Sequence, residues 1–256
     1  MRSLKLNALK IEAKHITKSF GDRQVLNDIS FEVPEGKACV LMGTNGSGKT
    51  TLLNILTGFV EQDKGEVLLD DTCINKLKPY ERCLKGLGRT FQDMRLVNDL
   101  TVMENVLLSF PGQEGEKWWK SLLPSKGVKS EQKNNCAKAE RILSKCFITE
   151  EANSKAGEIS YGQQKLLNLA CCMACGTPVL LLDEPVAGVN PVFREKLSNI
   201  IGQLKAKGRT LLIIEHNTDF IEAVADEILF LHDGKIQRYE SYNGFRNDKK
   251  VLEAYI

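Results

Sequence analysis

A glycine-rich octapeptide, Gly43 to Thr50, constrains this chain more than any other segment. It has the pattern G-x-x-x-x-G-K-T. The apolar stretch before it, 37–41, predicts a strand, and the apolar stretch after it, 51–56, predicts a helix. A strand, a glycine-rich loop and a helix in this order are typical of the P-loop, in which backbone N–H groups surround a phosphate at a helix N-terminus. The sequence therefore predicts an α/β fold built around a nucleotide-phosphate site.

The residue types of this octapeptide fit phosphate binding. Gly43, Gly46 and Gly48 permit backbone angles that residues with a Cβ avoid. Lys49 would bring a positive charge to the β- and γ-phosphates, and the hydroxyl of Thr50 would bind Mg²⁺. The predicted nucleotide-binding residues follow one another through the loop and the start of the helix: Gly43, Thr44, Asn45, Gly46, Ser47, Gly48, Lys49, Thr50 and Thr51.

Composition predicts one large folded domain, or a core domain with a subdomain. The chain has 256 residues, of which 42% are hydrophobic, and a net charge of +2. A charge so close to neutral gives no support for a nucleic-acid or lipid-surface partner. Residues 1–10 lack the apolar stretch of a secretion signal, and the eight cysteines form no paired framework. We therefore expect a protein of the reducing cytoplasm.

The longest uncharged run, 166–182, is not expected to cross a membrane. It is shorter than the ~18–20 residues that a span needs, and Gly176-Thr177-Pro178 interrupts it. A buried helix, a turn and a buried strand explain it better. Cys171, Cys172 and Cys175 lie in this helix without a second C-x-x-C motif, so we expect small buried residues rather than metal ligands.

Other apolar runs predict two kinds of sheet. The runs 11–16, 30–33 and 66–69 are short, and a turn at Gly21-Asp22 favours antiparallel strands at one edge of the fold. The continuous run 210–214, like 179–182, suits a parallel sheet that is covered on both faces. The segment 228–237, with Asp233-Gly234 at its centre, predicts a terminal hairpin.

The middle of the chain has few strand signals and predicts an inserted helical subdomain. Segments 102–108 and 136–147 have helical spacing, whereas 111–135 is polar and irregular. Trp118 and Trp119 lie in that polar stretch. We favour packing of both indoles onto the subdomain, and the alternative is contact with a partner protein.

Two further motifs accompany the P-loop. The apolar strand 179–182 is followed by Asp183, which can hold Mg²⁺, and by Glu184, which can polarise an attacking water. Downstream of a P-loop this pattern indicates a Walker B motif. Ser160 and Gly162 open a predicted helix and would form a second anion site. A second γ-phosphate site makes sense if two such domains face each other.

Together these motifs resemble the nucleotide-binding subunits of ABC transporters, and the resemblance covers essentially the whole chain. The family's motifs occur here in the family's order: adenine platform Phe20, Walker A 43–50, Q-loop Gln92, signature 159–163, Walker B 179–184, D-loop 187–190 and H-loop His216. The resemblance implies the ABC ATPase fold, with a P-loop NTPase core of mostly parallel sheet, an antiparallel β edge subdomain and an inserted α-helical subdomain. The expected single domain, 1–256, is divided into a core at 1–92 and 165–240, helices at about 93–164 and a helical tail at 241–256.

The resemblance also implies a role for each motif residue, with ATP and Mg²⁺ as cofactors. The implied catalytic residues are Glu184, His216 and Gln92, and the implied metal-binding residues are Thr50, Gln92 and Asp183. The signature residues that would contact the ATP of a partner subunit are Ser160, Tyr161, Gly162 and Gln163, with Asn190 in the D-loop. Phe20 would stack on adenine, and the alternative for this residue is a place in the core.

Two departures from the family's usual motifs point to one branch. In the signature, Ile159 replaces Leu and Tyr161 replaces the first Gly, while Asn190 stands where the D-loop usually has Asp. The segments that resemble the ATPase subunits of branched-chain amino-acid importers are 88–96, 100–106, 160–164, 184–191, 214–217 and 251–255. Urea importers and the lipopolysaccharide-export ATPase share much of this pattern.

The implied function is ATP hydrolysis that powers a transporter, with branched-chain amino-acid uptake favoured. The implied partners are a second ABC ATPase subunit, in a homodimer or a preferred heterodimer, and integral membrane permease subunits. No nucleic acid is expected, and the membrane would be met only through the permease, at the cytoplasmic face of the inner membrane. The alternatives are another ABC system or a soluble Fe–S assembly ATPase, whose signature region usually has Gly-Gly-Glu in place of Tyr161-Gly162-Gln163. The transported solute is not encoded in this subunit.

Overall fold

The computed structural model describes residues 10–90, 94–113 and 126–254. Gln92, Trp118 and Trp119 therefore lie outside the described residues. The chain divides into two compact units. The first comprises the ranges 1–92, 177–187 and 201–256, and the second comprises 93–176 and 188–200.

The first unit contains a six-stranded sheet. Its strands are β3 (Ala38–Gly43), β6 (Leu87–Arg89), β7 (Val179–Asp183), β8 (Thr210–Ile214), β9 (Glu227–His232) and β10 (Lys235–Tyr239). Their order across the sheet is β10-β9-β3-β8-β7-β6. All neighbouring pairs are parallel except β9 with β10. Every residue of β3, β7 and β8 is buried, as expected for a parallel sheet covered on both faces. The predicted parallel core is confirmed.

An antiparallel sheet with the order β2-β1-β4-β5 forms the second layer of this unit. Its strands are β1 (Ile11–Phe20), β2 (Arg23–Val33), β4 (Lys64–Leu69) and β5 (Thr72–Cys73). The predicted turn at Gly21-Asp22 joins β1 to β2. Apolar residues of both sheets enter one buried cluster, to which Ile16, Leu41 and Leu181 belong. The predicted antiparallel edge is also confirmed.

Nine helices are found within the described residues. They are α1 (Lys49–Thr57), α2 (Pro79–Leu84), α3 (Val102–Leu108), α4 (Lys126–Lys145), α5 (Tyr161–Ala174), α6 (Pro191–Ala206), α7 (Thr218–Val224), α8 (Tyr242–Arg246) and α9 (Lys249–Ala254). Helices α3, α4 and α5 lie in the second unit and contact one another. The run 166–182 forms the end of α5, a turn and β7, as predicted.

Helix α4 corrects the sequence-based boundary. We expected an irregular segment up to residue 135, but α4 begins at Lys126. Its first ten residues carry few apolar side chains, so the periodicity that marks a packed helix is absent there. Lys, Glu and Gln in this stretch nevertheless have good helix propensity, and buried Ala139 and Leu143 anchor the helix farther along. No helix of the described residues is long and apolar enough to cross a membrane.

Candidate nucleotide site

The loop 43–50 joins β3 to α1 as the motif predicts. Gly46 and Gly48 have φ angles of 79° and 105°, which a residue with a Cβ rarely adopts. Gly48 is the N-cap of α1 and supplies no side-chain hydrogen bond to the helix. An α-helix begins with N–H groups that lack a partner within the helix. The start of α1 therefore offers N–H donors to an anion.

Lys49 is buried and lies close to two carboxylates. Its ammonium donates to the carbonyl oxygens of Gly43, at 2.7 Å, and Thr44, at 2.9 Å. Burial lowers the pKa of the Lys49 ammonium, and the negative charges of Glu184 and Asp183 oppose this shift. The P-loop lysine and the acidic pair after β7 thus share one electrostatic environment, although about 130 residues separate them in sequence.

A cleft of about 390 Å³ lies along the loop, between Thr44 to Ser47, Arg23 to Val25, and Asp233-Gly234. Arg23 was not among the sequence-predicted site residues, because a charged residue after a turn carries no motif signal.

Phe20 pairs with Arg23 across the β1–β2 turn and is 52% exposed. Its ring, 5.3 Å from the ammonium of Lys18, is therefore outside the core. Ser47 Oγ is buried and has no hydrogen-bond partner within the described residues.

The acidic pair lies at the carboxyl end of β7. Asp183 is buried, and its Oδ2 accepts a hydrogen bond from Nη2 of Arg89 at 3.0 Å. Glu184 has a φ of 47°, a left-handed conformation that costs a residue with a Cβ about 1–3 kcal/mol. Its N–H donates to Ile214 O at 3.0 Å, which ties this strained residue to the end of β8. Such strain persists only where the surrounding structure holds it.

Glu215 is a site residue that sequence reasoning missed. This buried carboxylate accepts backbone hydrogen bonds from Val186 at 2.9 Å, from His216 at 2.8 Å and from Asn217 at 3.2 Å. It therefore joins the loop after Glu184 to the loop that carries His216, whose side chain is exposed. The sequence shows only that Glu215 is a charged residue directly after the strand 210–214. The same pattern occurs at strand ends that are exposed to solvent, so it did not indicate a buried carboxylate.

In the second unit, the signature segment forms the start of α5. Ser160 is the N-cap, and its Oγ accepts from the N–H of Gln163 at 3.4 Å. The side-chain oxygen of Gln163 accepts in return from the N–H of Ser160, which completes a capping box. The amide nitrogen of Gln163 donates to Glu151. These bonds hold the first turn of α5, where Ser160, Tyr161, Gly162 and Gln163 lie together.

Within the second unit, the start of α5 lies against residues 188–193. Gly188 has a φ of 72°, and a Cβ added to it would lie 3.2 Å from Cε1 of Tyr161. A Cβ added to Gly162 would lie 2.8 Å from Cγ of Phe193. Asn190 caps α6, because its Oδ1 accepts from the N–H of Phe193 at 3.1 Å. The first turn of α5 is thus packed closely against residues 188–193.

Replacement of Gly162 by alanine tests this close packing. Alanine favours a helix over glycine by about 1 kcal/mol, but here the new methyl would meet the base of the Phe193 ring. We expect overpacking to dominate and to lower the free energy of unfolding by about 1–3 kcal/mol. Gly202→Ala is the matched control, because Gly202 is exposed within α6 and no atom lies within 4 Å of its added Cβ. It should stabilise the protein by about 0.5–1 kcal/mol in urea denaturation, and equal stabilisation of both variants would contradict the packing.

Known proteins match this chain over almost its whole length. Residues 26–187 match the family model described as ABC transporter. The probable branched-chain amino acid transport ATP-binding protein LivG of Methanocaldococcus jannaschii is 34% identical over 96% of each chain. The high-affinity branched-chain amino acid transport ATP-binding protein LivG of Escherichia coli K12 is 32% identical over 93% of each chain. Both relatives are named as ATP-binding proteins of branched-chain amino acid transport.

Solved structures agree in fold. A nucleotide-free ATP-binding cassette from an ABC transporter superposes with a TM-score of 0.83 at 33% identity, covering 97% of this chain and 99% of the other. An ATP-binding cassette in its ADP conformation gives a TM-score of 0.82 at 33% identity, covering 96% and 98%. The predicted ABC ATPase fold is confirmed. The chain belongs to the ABC transporter family, as one of its ATP-binding, ATP-hydrolysing subunits.

Proposed function

We propose that this subunit uses the P-loop, Asp183, Glu184 and His216 to hydrolyse Mg²⁺-bound ATP and so powers import of branched-chain amino acids. The observation that carries the proposal is the shared electrostatic environment of Lys49, Asp183 and Glu184 at the end of a parallel sheet. Parallel α/β sheets bind their ligands outside the carboxyl ends of the strands. The names of the full-length relatives supply the solute class.

The residues present fit a nucleotide and its metal. Ser47 has a buried hydroxyl without a partner in the described part of the chain, which suits a group that bonds to a ligand. Thr50 is exposed at the start of α1 and Asp183 ends β7, so a hydroxyl and a carboxylate supply the oxygen atoms that Mg²⁺ prefers. Bound there, Mg²⁺ would neutralise negative charge on the phosphates. Gln92, the other proposed metal-binding residue, lies outside the described residues.

Glu184 is the residue that we assign to proton transfer. As a carboxylate it can accept a proton from the water that attacks the γ-phosphate. Its left-handed backbone and its N–H hydrogen bond to Ile214 O fix the direction in which the side chain leaves the backbone. Glu215 fixes the neighbouring loop, so that His216 can assist at the γ-phosphate. Strain held at one residue by its surroundings is common in active sites.

A second subunit would complete the site. Ser160 and Gly162 open α5, a helix of 14 residues, and backbone N–H groups at such a start attract anions. One chain has only one P-loop, so this second anion site serves the ATP of a facing ABC ATPase subunit. The resemblance to importers favours a heterodimer with a related ATPase over a homodimer. Closure around ATP and reopening after hydrolysis would then move the permease subunits, at the cytoplasmic face of the inner membrane.

Glu184→Gln tests the catalytic assignment. The amide retains the size of the side chain but cannot take up the proton, so we expect kcat for ATP hydrolysis to fall at least about 100-fold. ATP affinity, measured by calorimetry, should stay within about threefold because the P-loop is unchanged. Glu195→Gln, at an exposed position of α6, is the control and should hydrolyse ATP normally. Turnover of Glu184→Gln at the normal rate would remove Glu184 from the mechanism.

Ser160→Arg tests the shared site. A bulky cation at the start of α5 should prevent ATP-driven association and hydrolysis, whereas ATP binding to the isolated subunit should persist. Since Ser160 is also an N-cap, the substitution costs about 1 kcal/mol of stability. Ser160→Asp keeps the cap but repels phosphate, so it should fail in the same way without that loss. Ser130→Arg, at an exposed position of α4, is the matched control. Full hydrolysis by Ser160→Arg would refute the shared site.

Transport itself is tested in membranes of the source cells. The tagged subunit should co-purify with polytopic permease subunits and a second ABC ATPase. Loss of the subunit should abolish uptake of labelled leucine, isoleucine and valine but not of labelled urea. Recovery of soluble assembly proteins alone, with normal amino-acid uptake, would contradict the import function and favour a non-transport ABC ATPase.

A further inference from the structure

Arg89 forms a buried ion pair with the acidic residue of the Walker B motif. Its Nη2 donates to Oδ2 of Asp183 at 3.0 Å, and each side chain is only 6% exposed. Arg89 lies on β6, three residues before Gln92, and β6 pairs in parallel with β7. A guanidinium is always protonated in proteins, so this positive charge is permanent.

The other arm of the same guanidinium reaches the P-loop helix. Nη1 donates to Oδ1 of Asn54 at 2.7 Å and to Oγ1 of Thr57 at 3.1 Å. Both acceptors lie in the second half of α1. One planar group thus joins three elements of the first unit: β6, α1 and the last residue of β7. A fixed fork of donors suits such simultaneous contacts better than a flexible ammonium does.

Arg82 provides a contrast within the same segment. It is 2% exposed and donates to backbone carbonyl oxygens of α1, those of Ile55 at 2.7 Å and Leu56 at 2.8 Å. It also donates to Leu77 O and Asn75 O, both at 3.0 Å. These contacts fasten α2 to the end of α1 and involve no carboxylate. Arg82 shows that a buried arginine can support α1 without contacting a carboxylate. The contact between Arg89 and Asp183 therefore needs a separate explanation.

We propose that Arg89 is the positioning residue and counter-ion of Asp183, and that it keeps the affinity of the nucleotide-free site for divalent cations low. This proposal rests on the assignment of Asp183 to the metal in the proposed function. A carboxylate whose charge is already balanced attracts a cation less strongly than an isolated one. Mg²⁺ would then bind well only together with the negative charges of ATP and would leave more easily after hydrolysis.

Loss of Arg89 has two opposing effects on the metal site, and we expect charge to dominate. Removing the guanidinium removes the hydrogen bond to Oδ2 of Asp183, but the backbone of Asp183 stays fixed. Its N–H donates to Oγ1 of Thr90 at 3.1 Å, and it pairs with Ile214 on β8. The carboxylate therefore remains at the end of β7 without the counter-charge of Arg89, with Lys49 remaining as a cation of the site. In a buried environment Coulomb interactions are several times stronger than in water.

The experiment measures Mn²⁺ binding to the full chain without nucleotide, by the electron paramagnetic resonance signal of free Mn²⁺. Arg89→Gln removes the charge and keeps an amide donor for α1, and we expect it to bind Mn²⁺ at least about tenfold more tightly than the unchanged protein. Arg89→Lys restores a charge and should stay within about threefold. Arg82→Met is the matched control: its melting temperature should fall while its Mn²⁺ affinity is unchanged. Asp183→Asn in the Arg89→Gln background should abolish the gain.

The outcomes separate this inference from the function on which it rests. Unchanged or weaker Mn²⁺ binding by Arg89→Gln would overturn the counter-ion role, and so would a gain that persists with Asn at position 183. If Arg89→Gln does not fold, an Mn²⁺ affinity of Arg89→Lys more than tenfold different from the unchanged protein would also overturn it. Separately, Mn²⁺-ADP binding that is unaffected by Asp183→Asn alone would remove Asp183 from the metal site and contradict the proposed function itself.

Discussion

Strand β3 is enclosed on both sides by parallel neighbours, and the rest of the nucleotide site depends on that enclosure. It pairs with β8 through Leu41 and Ile214, and with β9 through Gly43 and Leu231. The neighbour approaches so closely that a Cβ at Gly43 would lie 2.3 Å from Leu231 O, so only glycine fits where the chain leaves the sheet. Parallel pairing also brings the carboxyl ends of β3, β7 and β8 to one edge of the sheet. The P-loop, the acidic pair and the loop that carries His216 all lie at this edge.

Buried charges then connect these loops. Glu215 accepts backbone N–H groups from two of them, and Arg89 links the carboxylate of Asp183 to the nucleotide helix. Removing one partner of such a contact leaves a buried charge or donor unsatisfied, which costs more than the contact contributes when intact. The arrangement of the site is therefore specified by a few ionic groups rather than by apolar packing alone. Rigid support of this kind is what preorganised catalysis requires.

Apolar runs predicted the sheet, and the motifs predicted the P-loop and the acidic strand end, because each depends on local residue types. Glu215 and Arg89 could not be predicted, since their partners are distant in sequence and a charged residue beside a strand has many possible environments. The predicted start of α4 was wrong because the sequence there has too few apolar residues to show a helical periodicity. The roles of Phe20, Ser160 and the other motif residues stay predictions, and Gln92 among them lies outside the described residues.

Local packing accommodates two of the departures, Tyr161 in the signature and Asn190 in the D-loop. The ring of Tyr161 is 47% exposed, lies beside Gly188 and is 5.5 Å from the ammonium of Lys165. A glycine at position 188 leaves room for that ring, and its φ of 72° lies in the region that favours glycine. Asn190 caps α6 as well as Asp would. Since Ser160 and the N–H groups of the first turn of α5 are retained, the anion site that we propose there does not depend on the residue at position 161. A side chain at position 188 would therefore compete with the ring of Tyr161 for the same space, so the tyrosine of this signature depends on the glycine of this D-loop.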